Sequence, residues 1–219
     1  MNNKRITNIA PITAEKVLAD TLHTPRGVIF FQGPLKYQEI QQLYMDGGLD
    51  NFRNPTEQQQ TLSYISQLPE GRVYAACIGK TIIGYVTFHG PEFPRWNYCG
   101  LKELLELGGL EVSKNWRGLG VAQRLLEYAF STHGFEDHIV ISMETYSSWD
   151  LECSGMCLWE YRRMLEKLLS KVGMERRFTD DPEIADHPAN MLTARLGANV
   201  SREARVSFEK LLFLKCNGS

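Results

Sequence analysis

The stretch that decides the fold reads Leu110-Glu111-Val112-Ser113-Lys114-Asn115-Trp116-Arg117-Gly118-Leu119-Gly120-Val121-Ala122. It predicts a short apolar strand, a polar turn and a glycine-rich corner that opens a helix. The first backbone N–H groups of a helix have no acceptor inside the helix, and the helix dipole adds partial positive charge there. Gly118 and Gly120 carry no Cβ atom that would keep a phosphate away from the backbone. The stretch therefore predicts a site for a phosphate-bearing cofactor.

Two common phosphate-binding motifs do not fit this corner. A P-loop needs Gly-x-x-x-x-Gly-Lys-Ser/Thr, which the sequence lacks, and the dinucleotide fingerprint needs a third glycine where the chain has Gln123. The pattern Arg117-x-x-Gly120-x-Ala122 after a strand resembles instead the pyrophosphate loop of the GNAT superfamily of N-acetyltransferases. That resemblance implies acetyl-CoA as the co-substrate.

The expected cofactor contacts lie at the strand end, in the corner and on the first helical turn. Backbone N–H groups of residues 118–122 would hold the pyrophosphate, and a backbone N–H near Val112 would stabilise the charge of the tetrahedral intermediate. Arg117 and Arg124 would add charge-assisted contacts. The cofactor-binding residues that we expect are Val112, Ser113, Arg117, Gly118, Leu119, Gly120, Val121, Ala122 and Arg124.

Composition indicates one large domain and excludes several classes of protein. The chain has 219 residues, of which 43% are hydrophobic, and a formal net charge of −2, so it lacks the basic field of a nucleic-acid-binding protein. No apolar run of about 18 residues predicts a membrane span, and Met1–Arg5 leads into no signal-peptide core. The five cysteines are odd in number and show no C-x-x-C spacing, which indicates free thiols in a reducing compartment. We expect a cytoplasmic protein without a metal site.

The order of predicted elements indicates a mixed α/β fold, with a central, mostly antiparallel sheet flanked by helices. Strands are predicted at 26–32, 72–78, 81–88, 109–114, 139–145, 174–178 and 189–196, and helices at 35–45, from Pro55 onward, and at 101–107, 118–132, 155–171 and 201–212. We expect three parts: an N-terminal arm (1–25), the acetyltransferase core (26–178), and a segment of the same domain (179–219) that completes the sheet and adds a helix. In the resembled fold, the parallel strands at 109–114 and 139–145 splay and admit the pantetheine arm.

Longer motifs resemble a narrower family, the acetoin-utilisation acetyltransferases of Gram-positive bacteria. The matching segments are Leu68-Pro69-Glu70-Gly71-Arg72, Ile83-Gly84-Tyr85-Val86-Thr87, Glu111-Val112, Arg117-Gly118, Glu144-Thr145-Tyr146, Trp149-Asp150-Leu151, Trp159-Glu160-Tyr161-Arg162, Thr179-Asp180-Asp181-Pro182-Glu183-Ile184 and His187-Pro188-Ala189-Asn190. The resemblance covers most of the chain beyond residue 25. It implies a protein acetyltransferase that acts on acetyl-CoA synthetase and switches that enzyme off by acetylating its active-site lysine.

Acetylation of an amine needs a proton acceptor, since a lysine is charged near neutral pH. Glu111 is the expected general base, because it alternates with apolar neighbours on a strand and half-burial would make its carboxylate more basic. Glu144, on the adjacent predicted strand, is the rival. Relatives protonate the departing thiolate with a tyrosine where this chain has Leu169, so Tyr146 and Tyr161 are the alternative general acids.

The acceptor site has two candidate parts. Arg53 follows an Asp-Gly-Gly turn in the region where relatives build the acceptor site. Thr179, Asp180 and Asp181 form either a helix cap before Pro182 or an acidic lip that receives a basic side chain.

Three functions stay open on the sequence alone. The first is the protein lysine acetyltransferase, and the second is an enzyme of the same fold that acetylates a small amine, with segments 89–100 and 146–154 closing over it. The third is a binding regulator that inhibits its partner by complex formation. A homodimer is also left open as an assembly.

Overall fold

The computed structural model of the protein describes residues 20–132 and 134–214. Its strands are β1 (Thr21–Thr24), β2 (Gly27–Gln32), β3 (Tyr44–Met45), β4 (Arg72–Ile78), β5 (Thr81–His89), β6 (Leu104–Val112), β7 (Ile139–Glu144), β8 (Glu175–Arg177) and β9 (Met191–Leu196). Its α-helices are α1 (Tyr37–Ile40), α2 (Pro55–Ile65), α3 (Pro94–Asn97), α4 (Val121–Ser131), α5 (Leu151–Ser154), α6 (Leu158–Ser170), α7 (Pro182–Ala185) and α8 (Arg202–Leu212).

One mixed sheet organises the chain, in the order β1-β2-β4-β5-β6-β7-β9-β8, with β3 added beside β5. Neighbouring strands of the main path are antiparallel except for the parallel pair β6–β7, and the short β3 is also parallel to β5. The prediction of a mixed, mostly antiparallel sheet flanked by helices is therefore confirmed.

Helices cover both faces of the sheet because its central strands are apolar on both sides. On β5, Val86 and Phe88 pack with Leu125 of α4, whereas Tyr85 faces the other way and packs with Leu62 of α2. Helix α6 lies on the same side of the sheet as α4, and helices α3 and α8 lie on the opposite side. We call these two sides of the sheet the α4 face and the α2 face.

The predicted helix at 101–107 is wrong, because β6 already begins at Leu104. Leu105 and Leu107 are buried on the α4 face and Leu104 on the opposite face. A strand buried on both sides gives a continuous apolar run, which periodicity does not separate from a helix. The sheet register shifts by one residue at Gly108, since Phe88 pairs with Leu107 and Thr87 with Gly109.

Two other predicted helices are shorter than expected. The segment 35–45 contains only the single-turn α1 before β3, and the segment 155–171 begins as a helix at Leu158, after Gly155 adopts a left-handed conformation. Helix α2 starts as predicted, with Pro55 in its first turn and the Asn54 side chain accepting a hydrogen bond from the Glu57 N–H.

The segment predicted as an N-terminal arm lies partly outside the described residues. Of that segment, Thr21–Thr24 form β1 and pair with β2. The turn between the two strands is fixed by the Thr24 hydroxyl, which accepts from the Arg26 N–H and donates to the Gly27 carbonyl. The described C-terminal residues complete the sheet with β9 and add α8.

Candidate active site

The central parallel strands separate after a short paired stretch. They are joined at Leu104–Ile139, Leu105–Val140 and Glu106–Ile141, after which β6 continues to Val112 and β7 to Glu144. The expected splay is confirmed. It leaves an opening between the two strand ends, at the edge of the sheet where β6 leads into α4.

The glycine corner lies at this opening. Gly118 (φ 75°) and Gly120 (φ 78°) both adopt left-handed backbone conformations, and Gly120 is the residue before the first turn of α4. A Cβ atom built at either glycine would meet no atom within 4 Å in the described part of the chain, so the space in front of the corner is open. No side chain caps this helix start among the described residues. The corner thus offers backbone N–H groups and room for a pyrophosphate.

The backbone of Val112 is turned towards the opening. The next N–H, that of Ser113, donates to the Ile83 carbonyl of β5 at 2.8 Å. Successive residues of a strand direct their backbone groups to opposite edges, so the Val112 N–H points away from β5. The Val112 carbonyl also points away from β5, since it accepts a hydrogen bond from Arg117 Nε at 3.2 Å. The Val112 N–H therefore lies on the edge of β6 that faces the opening.

Three of the expected cofactor residues already have protein partners. Arg117 pairs with Asp150 at 2.7 Å as well as with the Val112 carbonyl, so its side chain spans from the end of β6 to the start of α5. Arg124 lies 3.6 Å from Glu127 on the same helix. The side chain of Ser113 is fully buried, and its hydroxyl donates to Asp46 at 2.6 Å. In this arrangement the two arginines contribute positive charge near the corner, while Ser113 holds the strand end in place.

Glu111 is a buried carboxylate with both oxygens occupied. It is 4% exposed and pairs in register with Tyr85, so it lies on the α2 face. Oε2 accepts from the Tyr85 hydroxyl at 2.6 Å, and Oε1 accepts from the Asn51 N–H at 3.0 Å. Both donors are neutral and hold the carboxylate in a single orientation. This is the arrangement expected of a fixed proton acceptor.

Tyr85 and Asn51, the two hydrogen-bond donors to Glu111, are residues that the sequence analysis did not identify as site candidates. Burial raises the pKa of Tyr85 far above its usual value, the adjacent Glu111 raises it further, and the positive charge of Arg53 opposes both effects. Tyr85 therefore stays protonated and donates to Glu111 throughout the physiological range. Arg53, the predicted acceptor residue, has an exposed side chain.

The rival carboxylate lies on the other side of the sheet. Glu144 has the same strand parity as Val140, which packs with α4, whereas Glu111 faces α2. The Ser142 hydroxyl donates to Glu144 at 2.7 Å. Burial raises the pKa of Glu144, and the hydrogen bond from Ser142 opposes that rise. The two acidic residues therefore occupy distinct environments on opposite faces.

The two tyrosines proposed as general acids also differ in position. Tyr161, at the start of α6, stacks on Trp149 with ring centroids 5.4 Å apart, and burial raises the pKa of its hydroxyl. Tyr146 is 40% exposed, and its ring lies 4.1 Å from that of His187. Leu169, where relatives carry a tyrosine, is a buried core residue.

The segment Thr179–Asp181 makes structural contacts. Asp180 lies 2.5 Å from Arg95, and Asp181 lies 3.5 Å from the same guanidinium group. Asp181 is 2% exposed and caps α7 by accepting from the Glu183 N–H, and the Thr179 hydroxyl donates to the Leu212 carbonyl. Of the two alternatives for this segment, a helix cap or an acidic lip, the contacts are those of the helix cap. Asp181 contributes no exposed acidic surface.

Two features are absent from the described residues. They contain no group of three or more His, Cys, Asp or Glu side chains placed to hold a metal ion. None of the helices in this part of the chain is both long and apolar enough to cross a membrane.

Comparison with known proteins gives similarity over nearly the whole chain. The model of the acetyltransferase (GNAT) family matches residues 37–148. The acetoin utilization protein AcuA of Bacillus subtilis is 38% identical over 193 residues, covering 88% of this chain and 92% of the relative. AcuA of Bacillus licheniformis is 38% identical over 196 residues, covering 89% and 93%. The crystal structure of an acetoin utilization protein from Exiguobacterium sibiricum superposes with a TM-score of 0.86 at 39% identity, covering 89% of this chain and 93% of that one.

Proposed function

Because the chain belongs to the acetyltransferase (GNAT) family, and within it to the acetoin utilization proteins, we propose that it acetylates a lysine of a protein substrate. The chain is an acetyl-CoA-dependent N-acetyltransferase. The substrate we propose is acetyl-CoA synthetase, which would lose activity when its active-site lysine is acetylated. The names of the relatives place them in acetoin utilisation, and control of an enzyme that makes acetyl-CoA fits that role.

The observation that carries the protein acceptor is a pair of exposed aromatic residues, Phe52 and Tyr146, on the two loops that meet near the buried Glu111. Glu111 lies below the loop that holds Asn51, and the next residue, Phe52, is 41% exposed. Asn51 Nδ2 donates to the carbonyl of Ser148, two residues beyond the exposed Tyr146. Exposed aromatic side chains beside a polar site are typical of surfaces that bind proteins. A lysine side chain is long enough to reach a buried carboxylate from such a surface.

The described residues of the site support direct transfer from acetyl-CoA to the amine. When bound, acetyl-CoA supplies an activated acetyl group. Glu111 would take the proton of the lysine ammonium, directly or through a water molecule, while Tyr85 and Asn51 hold its carboxylate. The Val112 N–H would donate to the acetyl oxygen as charge develops there. Tyr161 or Tyr146 would protonate the departing sulfur.

A small amine is the second candidate acceptor, and one contact favours it. The hydrogen bond from Asn51 Nδ2 to the Ser148 carbonyl, at 3.2 Å, joins two loops above Glu111 and narrows the approach to the carboxylate. A small acceptor would fit beneath such a bridge, whereas a protein substrate requires the bridge to open.

The deciding experiment is transfer of labelled acetyl from acetyl-CoA to purified acetyl-CoA synthetase, followed by mass spectrometry. We expect one label per synthetase molecule, on one active-site lysine, together with loss of synthetase activity. Polyamines and aminoglycosides tested in parallel cover the small-amine alternative. Absence of label on the synthetase, with acetyl-CoA binding intact, would contradict the proposed substrate.

A Glu111→Gln variant separates chemistry from binding in the same assay. If the variant still inhibits the synthetase without acetylating it, complex formation carries the regulation. If inhibition and acetylation vanish together while the two proteins still bind, catalysis carries it.

A further inference from the structure

Asp46 connects the acceptor side of the site to the cofactor side. Its Oδ1 atom accepts hydrogen bonds from the Ser113 hydroxyl at 2.6 Å, the Gly48 N–H at 2.9 Å and Asn115 Nδ2 at 3.2 Å. Two of these donors belong to the segment that leads from β6 into the glycine corner. The third belongs to the loop that follows β3. A single carboxylate oxygen therefore fastens the two segments together.

The same two segments touch again further along the loop. The Lys114 N–H donates to the Gly48 carbonyl at 3.2 Å, and a Cβ atom at Gly48 would come within 2.5 Å of Ser113 Oγ. Lys114 Nζ lies 2.8 Å from Asp50, in a pair of which both side chains are about half exposed. Gly48 thus allows a close approach that a larger residue would prevent.

The loop then reaches the proposed base. Three residues after Gly48, the Asn51 N–H donates to Glu111 Oε1 at 3.0 Å, and the Asn51 side chain donates to Ser148 on the far side of the strand opening. Between the Asp46 contact and the Asn51 contact, the buried Leu49 holds the loop against the core beside α2. Loop 46–51 is therefore anchored at both ends, on the cofactor segment and on Glu111.

We propose that Asp46 is a positioning residue that couples the cofactor segment to Glu111. It fixes loop 46–51 on Ser113 and Asn115, and the loop in turn places the Asn51 N–H on the carboxylate. The inference rests on the proposed function in one respect, the assignment of Glu111 as general base.

The proposed coupling predicts a measurable effect of ligand binding on loop 46–51. A ligand at the glycine corner restrains residues 113–120, and those residues hold Asp46. Binding there should therefore reduce the opening of loop 46–51, and by reciprocity an ordered loop should favour ligand binding. The enzyme would then orient its base most firmly when the acetyl donor is in place.

Hydrogen–deuterium exchange with coenzyme A as the ligand tests this coupling. In the unmodified protein we expect coenzyme A to slow exchange of the peptide containing residues 46–53 by about 5- to 150-fold, the usual range for coupled sites. Asp46→Ala should abolish that slowing, and at saturating acetyl-CoA it should lower kcat about 10- to 100-fold, as expected when a reacting group loses its position. Asp137→Ala is the matched control and should change neither quantity, because Asp137 is an exposed aspartate that accepts a hydrogen bond from Asn199, outside both segments.

Ser113→Ala provides a milder variant if Asp46→Ala does not fold. It removes one donor to Asp46 and should reduce, without abolishing, the effect of coenzyme A on the loop. The proposal is overturned if coenzyme A leaves the loop peptide of the unmodified protein unchanged, or if Asp46→Ala retains both the slowing and kcat.

The exchange measurement does not depend on the acceptor or on the identity of the base. Slowing of the loop together with no acetylation of the synthetase would contradict the proposed substrate and support the coupling. Acetylation of the synthetase without slowing of the loop would support the proposed substrate and contradict the coupling.

Discussion

The hydroxyl of Tyr85 lies 2.6 Å from Oε2 of Glu111, and both side chains are almost completely buried on the α2 face of the sheet. Burial and the neighbouring carboxylate both raise the pKa of the tyrosine, so the proton stays on Tyr85 and the hydrogen bond is directed towards Glu111. With the Asn51 N–H on Oε1, the carboxylate is held by donors without positive charge. The two hydrogen bonds therefore keep the Glu111 side chain in a fixed orientation.

Replacing each carboxylate in turn should identify the base. Glu111→Gln keeps the shape of the side chain but cannot accept a proton, so we expect kcat to fall by about 10²- to 10⁴-fold, the usual contribution of general base catalysis. Glu144→Gln should keep most of the activity, because Glu144 lies on the α4 face, away from Tyr85 and Asn51. Steady-state kinetics with both variants, supported by acetyl-CoA binding measurements, make the comparison. The reverse order of effects would assign the base to Glu144.

Removal of the Tyr85 hydroxyl should reduce activity without removing the base. Tyr85→Phe leaves a buried carboxylate oxygen without its donor, which costs about 1–3 kcal/mol of stability and loosens the orientation of Glu111. We expect kcat to fall about 10- to 100-fold. Tyr74→Phe is the matched control, because Tyr74 is equally buried and its hydroxyl bonds to Thr132, on the α4 face. Equal kinetic effects of the two substitutions would contradict a specific role for Tyr85.

The glycine corner can be tested with a matched pair of glycines. Gly120 and Gly100 have left-handed φ values of 78° and 73°, and a Cβ atom at either would meet no described atom within 4 Å. Alanine at either position should therefore cost a similar ~1–2 kcal/mol of backbone strain. Only Gly120→Ala should also weaken acetyl-CoA binding, because its methyl group would occupy the open space before α4. Calorimetric titration compares the affinities, and an equal loss in both variants would place the cofactor elsewhere.

Local sequence features predicted the strand, the glycine corner and the helix on the proposed cofactor side of the site. The strand, the corner and α4 lie within one short segment, and their glycines and apolar periodicity carry the information. Asn54 as a helix cap was predictable for the same reason. Each of these features depends on residues only a few positions apart.

The surroundings of Glu111 depend on contacts that no local pattern records. Tyr85 is 26 residues away in the sequence and Asn51 is 60 residues away. The bulge at Gly108 also changes which face of the sheet each β6 residue occupies, so Glu106 and Glu111 share a face although their spacing is odd. Thr179–Asp181 shows the same limit, because Arg95, the partner of both aspartates, is more than eighty residues away.

The partly buried Glu144 predicts a pH-dependent stability difference. Burial raises the folded-state pKa of Glu144, so the fold favours the protonated form of its side chain. The stability that this contributes is fully present below the unfolded pKa near 4.5 and is lost as the pH rises through the folded-state pKa. Glu144→Gln does not titrate at this position and should therefore become progressively more stable than the unmodified protein above that pH. Each kcal/mol of gain should raise Tm by about 2–4 °C in a chain of this size. Thermal unfolding from acidic to neutral pH measures the difference, with the exposed Glu152→Gln as the control for losing one negative charge. A constant Tm difference over that range would mean that Glu144 is not stabilised in its protonated form by the fold.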